Sequence, residues 1–419
     1  MSSPPNLTEE PWNPNEFVVA LPDLPVVRAE LDNLPQPIEL TEEPKKSQIL
    51  DLALIKITNV AAVVQRINDQ LGPGRRRECR TAQPEYAIDR VIRAIRENCQ
   101  DLYGGWTPTV GKNRTLDGVH TTQHVGTGRA AGYPSPATAA DLGVLSTNGT
   151  EERAVVGVVD TALWANPKLK GRYQEDEPDI FLAPAEQQRD TAGHATFVAG
   201  MILQDSPNVE LRVRKALEPD GTALAWNVAE EMVQLAKSVD VLNVSFACFT
   251  EDNEEPLILA RAIELIDRDK VIVAAAGNFG DIVPRNDGRT PTSPKSPMWP
   301  AASSLVTAVG AHGRDGLRAE FSPDAPWVDL TARGVEVGSL YLEGMVEFQE
   351  FEGLPRPDPK LFGGYATWTG TSFAAGMASG AIARRITRGT RRITAREALN
   401  EVMKLPPGNA DQVWPNPRP

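Results

Sequence analysis

Ser372 stands in Gly370-Thr371-Ser372-Phe373-Ala374-Ala375-Gly376-Met377-Ala378-Ser379-Gly380-Ala381, where a glycine and a threonine lead into small and apolar residues at helical spacing. The spacing predicts a buried helix with Ser372 in its first turn. The first backbone N–H groups of a helix have no intrahelical partner and the macrodipole is positive there, so this serine is set beside developing negative charge. A serine hydroxyl is a weak nucleophile alone; it needs a histidine base and an acid that orients the base. Asp160 closes the run Ala154-Val155-Val156-Gly157-Val158-Val159, and His194 follows Gly193 at the head of Ala195-Thr196-Phe197-Val198-Ala199-Gly200-Met201-Ile202. A lone histidine before an apolar helix is more often structural, but the company of Asp160 and Ser372 makes His194 a candidate base. Asn278 follows Gly277 behind another apolar run, and side-chain amides can donate to an oxyanion.

The elements that must position these groups are legible as patterns. The run 154–159 is continuous and β-branched, which marks a strand buried on both faces of a parallel sheet. A carboxylate at its end lies where open α/β sheets build their sites. Further on come a short strand at Leu211-Arg212-Val213, an amphipathic helix from Asn227 to Ser238, and a buried strand from Val239 to Phe246. A helix from Pro256 to Arg268 and a strand from Val271 to Asn278 complete the alternation. This βαβ order predicts an α/β fold, a mainly parallel sheet with helices on both faces. A last helix begins at Thr394, with Glu397 in capping-box spacing.

In the order Asp160, His194, Asn278, Ser372, these groups resemble those of the subtilisin-like serine peptidases, the subtilase family. The resemblance runs from about 151 to 405. Asp160-Thr161-Ala162 is similar to the family's Asp-Thr-Gly, His194-Ala195-Thr196-Phe197-Val198-Ala199-Gly200 to its His-Gly-Thr-His-Val-Ala-Gly, and Gly370-Thr371-Ser372-Phe373-Ala374-Ala375-Gly376 to its Gly-Thr-Ser-Met-Ala-Ala-Pro. Trp299-Pro300-Ala301-Ala302, Val306 to Ala311, Phe321-Ser322-Pro323 and Val328 to Gly334 add further blocks. The resemblance implies a serine endopeptidase acting on protein or peptide, with Ser372 as nucleophile, His194 as base, Asp160 as its orienting acid and Asn278 as oxyanion donor. It also implies that Val244, Ser245, Phe246 and Ala247 line a substrate channel, and that Ala275, Ala276 and Gly277 wall the pocket for the side chain before the cut. Four positions depart from the pattern: Ala162, Ala195, Phe197 and Gly376. The last is expected to loosen the nucleophile's helix.

The chain has 419 residues, 41% of them hydrophobic, enough for one large domain and a smaller one. Its formal charge of -13 argues against a nucleic-acid or anionic-membrane partner. Three dispersed cysteines, Cys79, Cys99 and Cys248, fit neither a disulfide framework nor a zinc site. No signal-peptide pattern and no membrane-length apolar run is seen, so a cytoplasmic location is expected.

Residues 1–15 and 406–419 read as flexible tails, 16–105 as a small α+β unit, 106–150 as a linker and 151–405 as the peptidase-like domain. Within the small unit, Phe17 to Leu21 and Leu52 to Ile57 read as strands, and Val60 to Leu71 and Ile88 to Leu102 as helices. Asn59 and Gly72 would cap the first helix. Arg75-Arg76-Arg77 reads as a solvated loop, and His120 with His124 as ordinary surface residues rather than a metal pair. The segments 281–298 and 344–361 read as surface insertions flanking the site, and the arginines from Arg384 to Arg396 as partners for acidic residues. Because subtilases often carry an N-terminal prodomain, the resemblance implies a possible intramolecular inhibitor in 16–105, the rival being a docking module. It leaves room for calcium, although no ligand spacing stands out and no metal site is expected.

Overall fold

The computed structural model describes residues 12–33, 40–58, 60–71, 87–118, 132–141, 153–173, 180–181, 188–250, 252–281, 293–350, 356–387, 392–409 and 411–416. Arg75 to Arg77, His120, His124, Asn59 and Gly72 lie outside them, as do parts of both expected insertions. The N-terminal unit comprises β1 (Trp12–Ala20), α1 (Leu24–Asn33), β2 (Lys45–Ser47), β3 (Leu52–Lys56), α2 (Val60–Leu71), α3 (Ala87–Leu102) and β4 (Val110–Gly118). Its strands serve two cores at once because successive side chains point to opposite faces. Phe17, Val19, Ala53 and Ile55 pack under α1 to α3, whereas Val18 and Leu52 face the larger domain.

The chain continues through β5 (Ser135–Pro136), β6 (Val155–Asp160), β7 (Leu163–Trp164), which pairs with β8 (Ile180–Phe181), and β9 (Gln188–Arg189). After these come α4 (His194–Asp205), β10 (Glu210–Lys215), β11 (Thr222–Leu224), α5 (Ala225–Ala236), β12 (Val241–Val244), β13 (Phe246–Ala247) and α6 (Leu257–Leu265). The remainder is β14 (Val271–Ala275), β15 (Thr307–His312), β16 (Leu330–Arg333), β17 (Val337–Glu347), β18 (Lys360–Trp368), α7 (Thr371–Ile386), α8 (Ala395–Val402) and β19 (Val413–Pro415).

The main sheet has the order β10-β6-β12-β14-β15-β16-β19, parallel except for β19. Its strands are apolar throughout because both faces are covered. Val156, Val158, Val271 and Val273 face the core shared with α4, α7 and α8, while Leu242, Val244, Ile272 and Ala274 face α5 and α6. The expected parallel α/β architecture is therefore present. Thr394 caps α8 with the reciprocal Glu397 bond, as its spacing predicts.

Three boundaries differ from the sequence reading. The 106–150 stretch contributes β4, antiparallel to β1, so it is not a plain linker. Its sequence, Val110 to Gly118, shows no apolar alternation because much of its hold is polar. Arg96 donates to the Val110 carbonyl at 2.7 Å, Lys112 pairs with Asp89 at 3.0 Å, and the Asn113 amide donates to Glu16 at 2.8 Å. The expected tails are also shorter, since β1 begins at Trp12 and β19 adds to the sheet edge beside β16. Asp411, just before β19, is gripped by Arg384 and Arg385, and Arg392 meets Asp240 at 2.7 Å. The 344–361 segment, finally, is the far end of a hairpin. β17 runs to Glu347, β18 starts at Lys360, and Leu340, Tyr341, Leu342 and Val346 are buried in the main core.

Candidate active site

Asp160 leaves the C-terminal end of β6 fully buried, and its Oδ1 accepts the Thr161 N–H at 2.7 Å. His194 opens α4, and its Nδ1 lies 2.8 Å from both Oδ1 and Oδ2 of Asp160. Two threonines hold the strand end against the helix start. Thr161 Oγ1 accepts the Ala195 N–H at 3.2 Å, and Thr196 Oγ1 accepts the Trp164 N–H at 2.8 Å. A buried carboxylate on Nδ1 fixes the imidazole tautomer and directs Nε2 to the opposite side.

Ser372 sits in the first turn of α7, fully buried, and α7 packs directly along α4. The ring of Phe373, the next residue, has its centroid 5.6 Å from that of His194. Asn278 follows the end of β14. Its side-chain carbonyl accepts both the N–H and the hydroxyl of Thr371 at 3.0 Å, and Thr371 Oγ1 accepts the Gly277 N–H at 3.2 Å. Thr371 thus ties the nucleophile's helix to the strand bearing Asn278. With its oxygen engaged there, the amide presents its NH2 as the donor end, 3.7 Å from where a Cβ on Gly370 would stand. All four predicted residues are gathered at the C-terminal edge of the sheet and the N-terminal ends of two helices.

Two of the four departures from the family pattern, Phe197 and Gly376, have local causes. Phe197 packs on Phe373 at 4.3 Å between centroids, and Trp368 stands edge-on to His194 at 5.9 Å, so apolar rings surround the imidazole. Gly376 does not merely loosen α7. A Cβ there would meet the Val198 carbonyl and Met201 Cβ, each at 3.2 Å, so glycine allows α4 and α7 to approach. Asp190, at the turn before His194, is buried and its carboxyl is pushed up to about 6 by loss of hydration. Gln349 donates its N–H to Asp190 Oδ1 at 3.0 Å, and the Tyr341 hydroxyl donates to the Asp190 carbonyl at 2.5 Å. The hairpin of β17 and β18 thereby supports the histidine's loop. Sequence reasoning missed Thr371, Trp368 and Tyr341 in these roles because only contact reveals them.

Beside these groups, β4 lies between β11 and β13. Thr115, Leu116 and Asp117 pair antiparallel with Leu224, Ala223 and Thr222, while Asp117 and Gly118 pair with Ala247 and Phe246. The chain's own strand therefore lies along the Phe246–Ala247 segment expected to bind an extended peptide. Leu116 is fully buried in the core shared with Trp226 and α5. Ser245 Oγ donates to Asn243 Oδ1 at 3.1 Å, and the Asn243 amide donates to Ser379 of α7 at 3.0 Å. Val244 is corrected from a channel residue to a core one. It pairs with Val159 and Ala274 inside the sheet, and its side chain faces α5 and α6. Ala275 and Ala276 are buried, and Gly277 has φ +94° beside Asn278. No cluster of three or more His, Cys, Asp or Glu suited to a metal occurs among the described residues. No helix among them is long and apolar enough to cross a membrane.

A parallel sheet carrying Asp160 at a strand end, with His194 and Ser372 heading two packed helices, defines an α/β serine-nucleophile architecture. A model of the subtilase family matches residues 151–403, and the chain belongs to that family. Mycosin-3 of Mycobacterium tuberculosis is 27% identical over 303 residues, covering 61% of this chain and 63% of the relative. A thermophilic serine proteinase of a Bacillus species is 25% identical over 259 residues, covering 59% and 55% respectively. An intracellular serine protease of Paenibacillus polymyxa is 29% identical over 258 residues, covering 56% and 68%. The chain thus spans little more than half to two thirds of these relatives' lengths.

Proposed function

We propose that this chain is a subtilisin-like serine endopeptidase held latent by its own N-terminal unit. The observation that carries the catalytic reading is the bond from His194 Nδ1 to buried Asp160, which leaves Nε2 to act as the proton acceptor. Ser372 Oγ attacks a peptide carbonyl while His194 takes its proton, and His194 then delivers that proton to the leaving amine. Asp160 stabilises the imidazolium formed between these steps. The Asn278 amide and the Ser372 N–H receive the oxyanion. Water repeats the sequence on the acyl-enzyme and restores the serine.

The latency reading is supported by β4 pairing with β11 and β13, where it takes the backbone bonds an extended substrate would use. Behind it, Val18, Leu50 and Leu52 pack in one core with α5 and α6, and Arg261 bonds the Leu50 carbonyl at 3.1 Å. The test is intact-mass analysis after a fluorophosphonate, on the full chain, on a chain lacking residues 1–131 and on Ser372→Ala. Faster labelling of the shortened chain, with none on the serine variant, is expected. Equal labelling of full and shortened chains would favour a docking module over an inhibitor. Absence of any adduct on folded protein would overturn the peptidase reading.

A further inference from the structure

Asp160 holds the His194 imidazole at Nδ1 alone, and a ring held at one atom can still swing about that bond. Its packing must stop it, and Trp368 supplies that packing on one side. The indole stands at 86° to the imidazole with centroids 5.9 Å apart, in the range of an edge-to-face pair. It also meets Phe197 at 5.7 Å and Phe373 at 5.1 Å. Phe197 lies one turn beyond His194 on α4, and Phe373 follows Ser372 on α7, so one ring touches the helix of the base and the helix of the nucleophile. The indole is itself fixed from outside. Trp368 is buried, and its Nε1–H donates to the Gly132 carbonyl at 2.6 Å. The segment that bears Gly132 is bound in turn to the hairpin. Ser135 and Pro136 of β5 pair with Thr367 and Ala366 of β18, and the Tyr133 hydroxyl donates to the Gln349 carbonyl at 2.9 Å. On the same side a Cβ on Gly193 would collide with the Tyr341 ring, which stands edge-on to Trp368 at 5.9 Å.

We propose that Trp368 is a positioning residue for the catalytic base: tethered to Gly132, its ring keeps the His194 imidazole from swinging about its bond to Asp160. The inference rests on the peptidase reading above. It makes residues 132–136 part of the active-site support, although none of them touches the imidazole through a bond of its own. Two magnitudes bound the effect. Displacing a reacting group by about 1 Å can cost on the order of 10²-fold in rate. Loss of the single indole hydrogen bond is worth a factor of about 5.

The test uses the full chain and two variants. Trp368→Phe keeps a ring but loses the indole N–H, and Trp368→Met fills much of the space without a ring. Each is measured for its rate of labelling by a simple fluorophosphonate and for the far-downfield proton resonance of the His194 Nδ1–Asp160 bond, with folding checked by thermal melting. Because β4 is the same in all three proteins, partial closure of the cleft cancels from the ratios of their rates. Labelling should slow about 5-fold in Trp368→Phe and about 10- to 100-fold in Trp368→Met. The resonance should stay sharp in the wild type and in Trp368→Phe. It should broaden in Trp368→Met, where a swinging ring exchanges that proton with water. A merely structural role would lower the melting temperature and leave the resonance of folded Trp368→Met sharp; that result overturns the proposal, as does unchanged labelling in either folded variant. If Trp368→Met does not fold, slowed labelling of Trp368→Phe supports the proposal and an unchanged rate overturns it. Failure of the probe on folded wild type overturns the peptidase reading, and this inference with it.

Discussion

Thr371 gives both its backbone N–H and its hydroxyl to the side-chain carbonyl of Asn278, each at 3.0 Å. The residue before the nucleophile therefore orients the amide proposed to receive the oxyanion, and one threonine couples two parts of the machinery. Thr371→Val keeps the shape and the N–H bond but deletes the hydroxyl. Loss of a buried hydrogen bond of this kind is worth about 1 kcal/mol, so kcat should fall by roughly 5- to 10-fold with KM little changed. Thr371→Ser should restore most of the rate. A larger effect on KM than on kcat would show that Thr371 acts on substrate binding instead.

Asn278→Ala should cost on the order of 10² to 10³ in kcat, the size established for such a donor in a subtilisin. Steady-state kinetics on a peptide substrate would reveal it, together with retained labelling of Ser372 by a fluorophosphonate. Wild-type kcat in this variant would remove Asn278 from the mechanism.

Leu116 anchors β4 by its burial beside α5. Leu116→Asp places a charge in that apolar site and should unseat the strand. Peptide hydrolysis by the full-length variant should rise at least about 10-fold, approaching the rate of the chain lacking residues 1–131, if burial of this side chain contributes about 1.5–3 kcal/mol. Unchanged activity with an intact melting transition would argue against β4 as the block.

Asp190 makes stability depend on pH. Its carboxyl has a higher pKa in the folded chain, about 6 against an ordinary 3.8, because burial disfavours the charge. The folded state then holds its proton more tightly than the unfolded state does. As pH rises above about 4 the unfolded chain loses that proton first, so stability declines up to about pH 6 and levels off beyond. The difference is on the order of 3 kcal/mol. Asp205, whose carboxyl is pushed up to about 7 by burial, adds a fall in the same direction. Asp190→Asn keeps an acceptor for the Gln349 N–H and should flatten the lower part of the decline. Melting temperatures from pH 4 to 8 would show this, and an unchanged slope would contradict it.

Asp411 binds Arg384 and Arg385 where the final segment returns to the sheet. Arg385 is 5% exposed, so removing its partner leaves a buried cation. Asp411→Ala should destabilise the protein by about 3–5 kcal/mol. Denaturant unfolding would measure the loss, and a loss below about 1 kcal/mol would mean that the pair contributes little.

Residue order alone determined Asp160, His194, Asn278 and Ser372 and the strands and helices that carry them. Strands buried on both faces are apolar without a break, and helices that pack closely are rich in small residues; such patterns are local and survive in one dimension. The placement of β4 was decided only in three dimensions. Its bonds to β11 and β13 are made by the backbone, which is the same in every sequence, and its side chains are held by Glu16, Asp89 and Trp226 from distant parts of the chain. The role of Thr371, the packing of Phe197 on Phe373 and the need for glycine at 376 likewise depend on which residues meet across elements. Distances of a few ångströms between residues many positions apart are set by packing, and no spacing in the sequence records them.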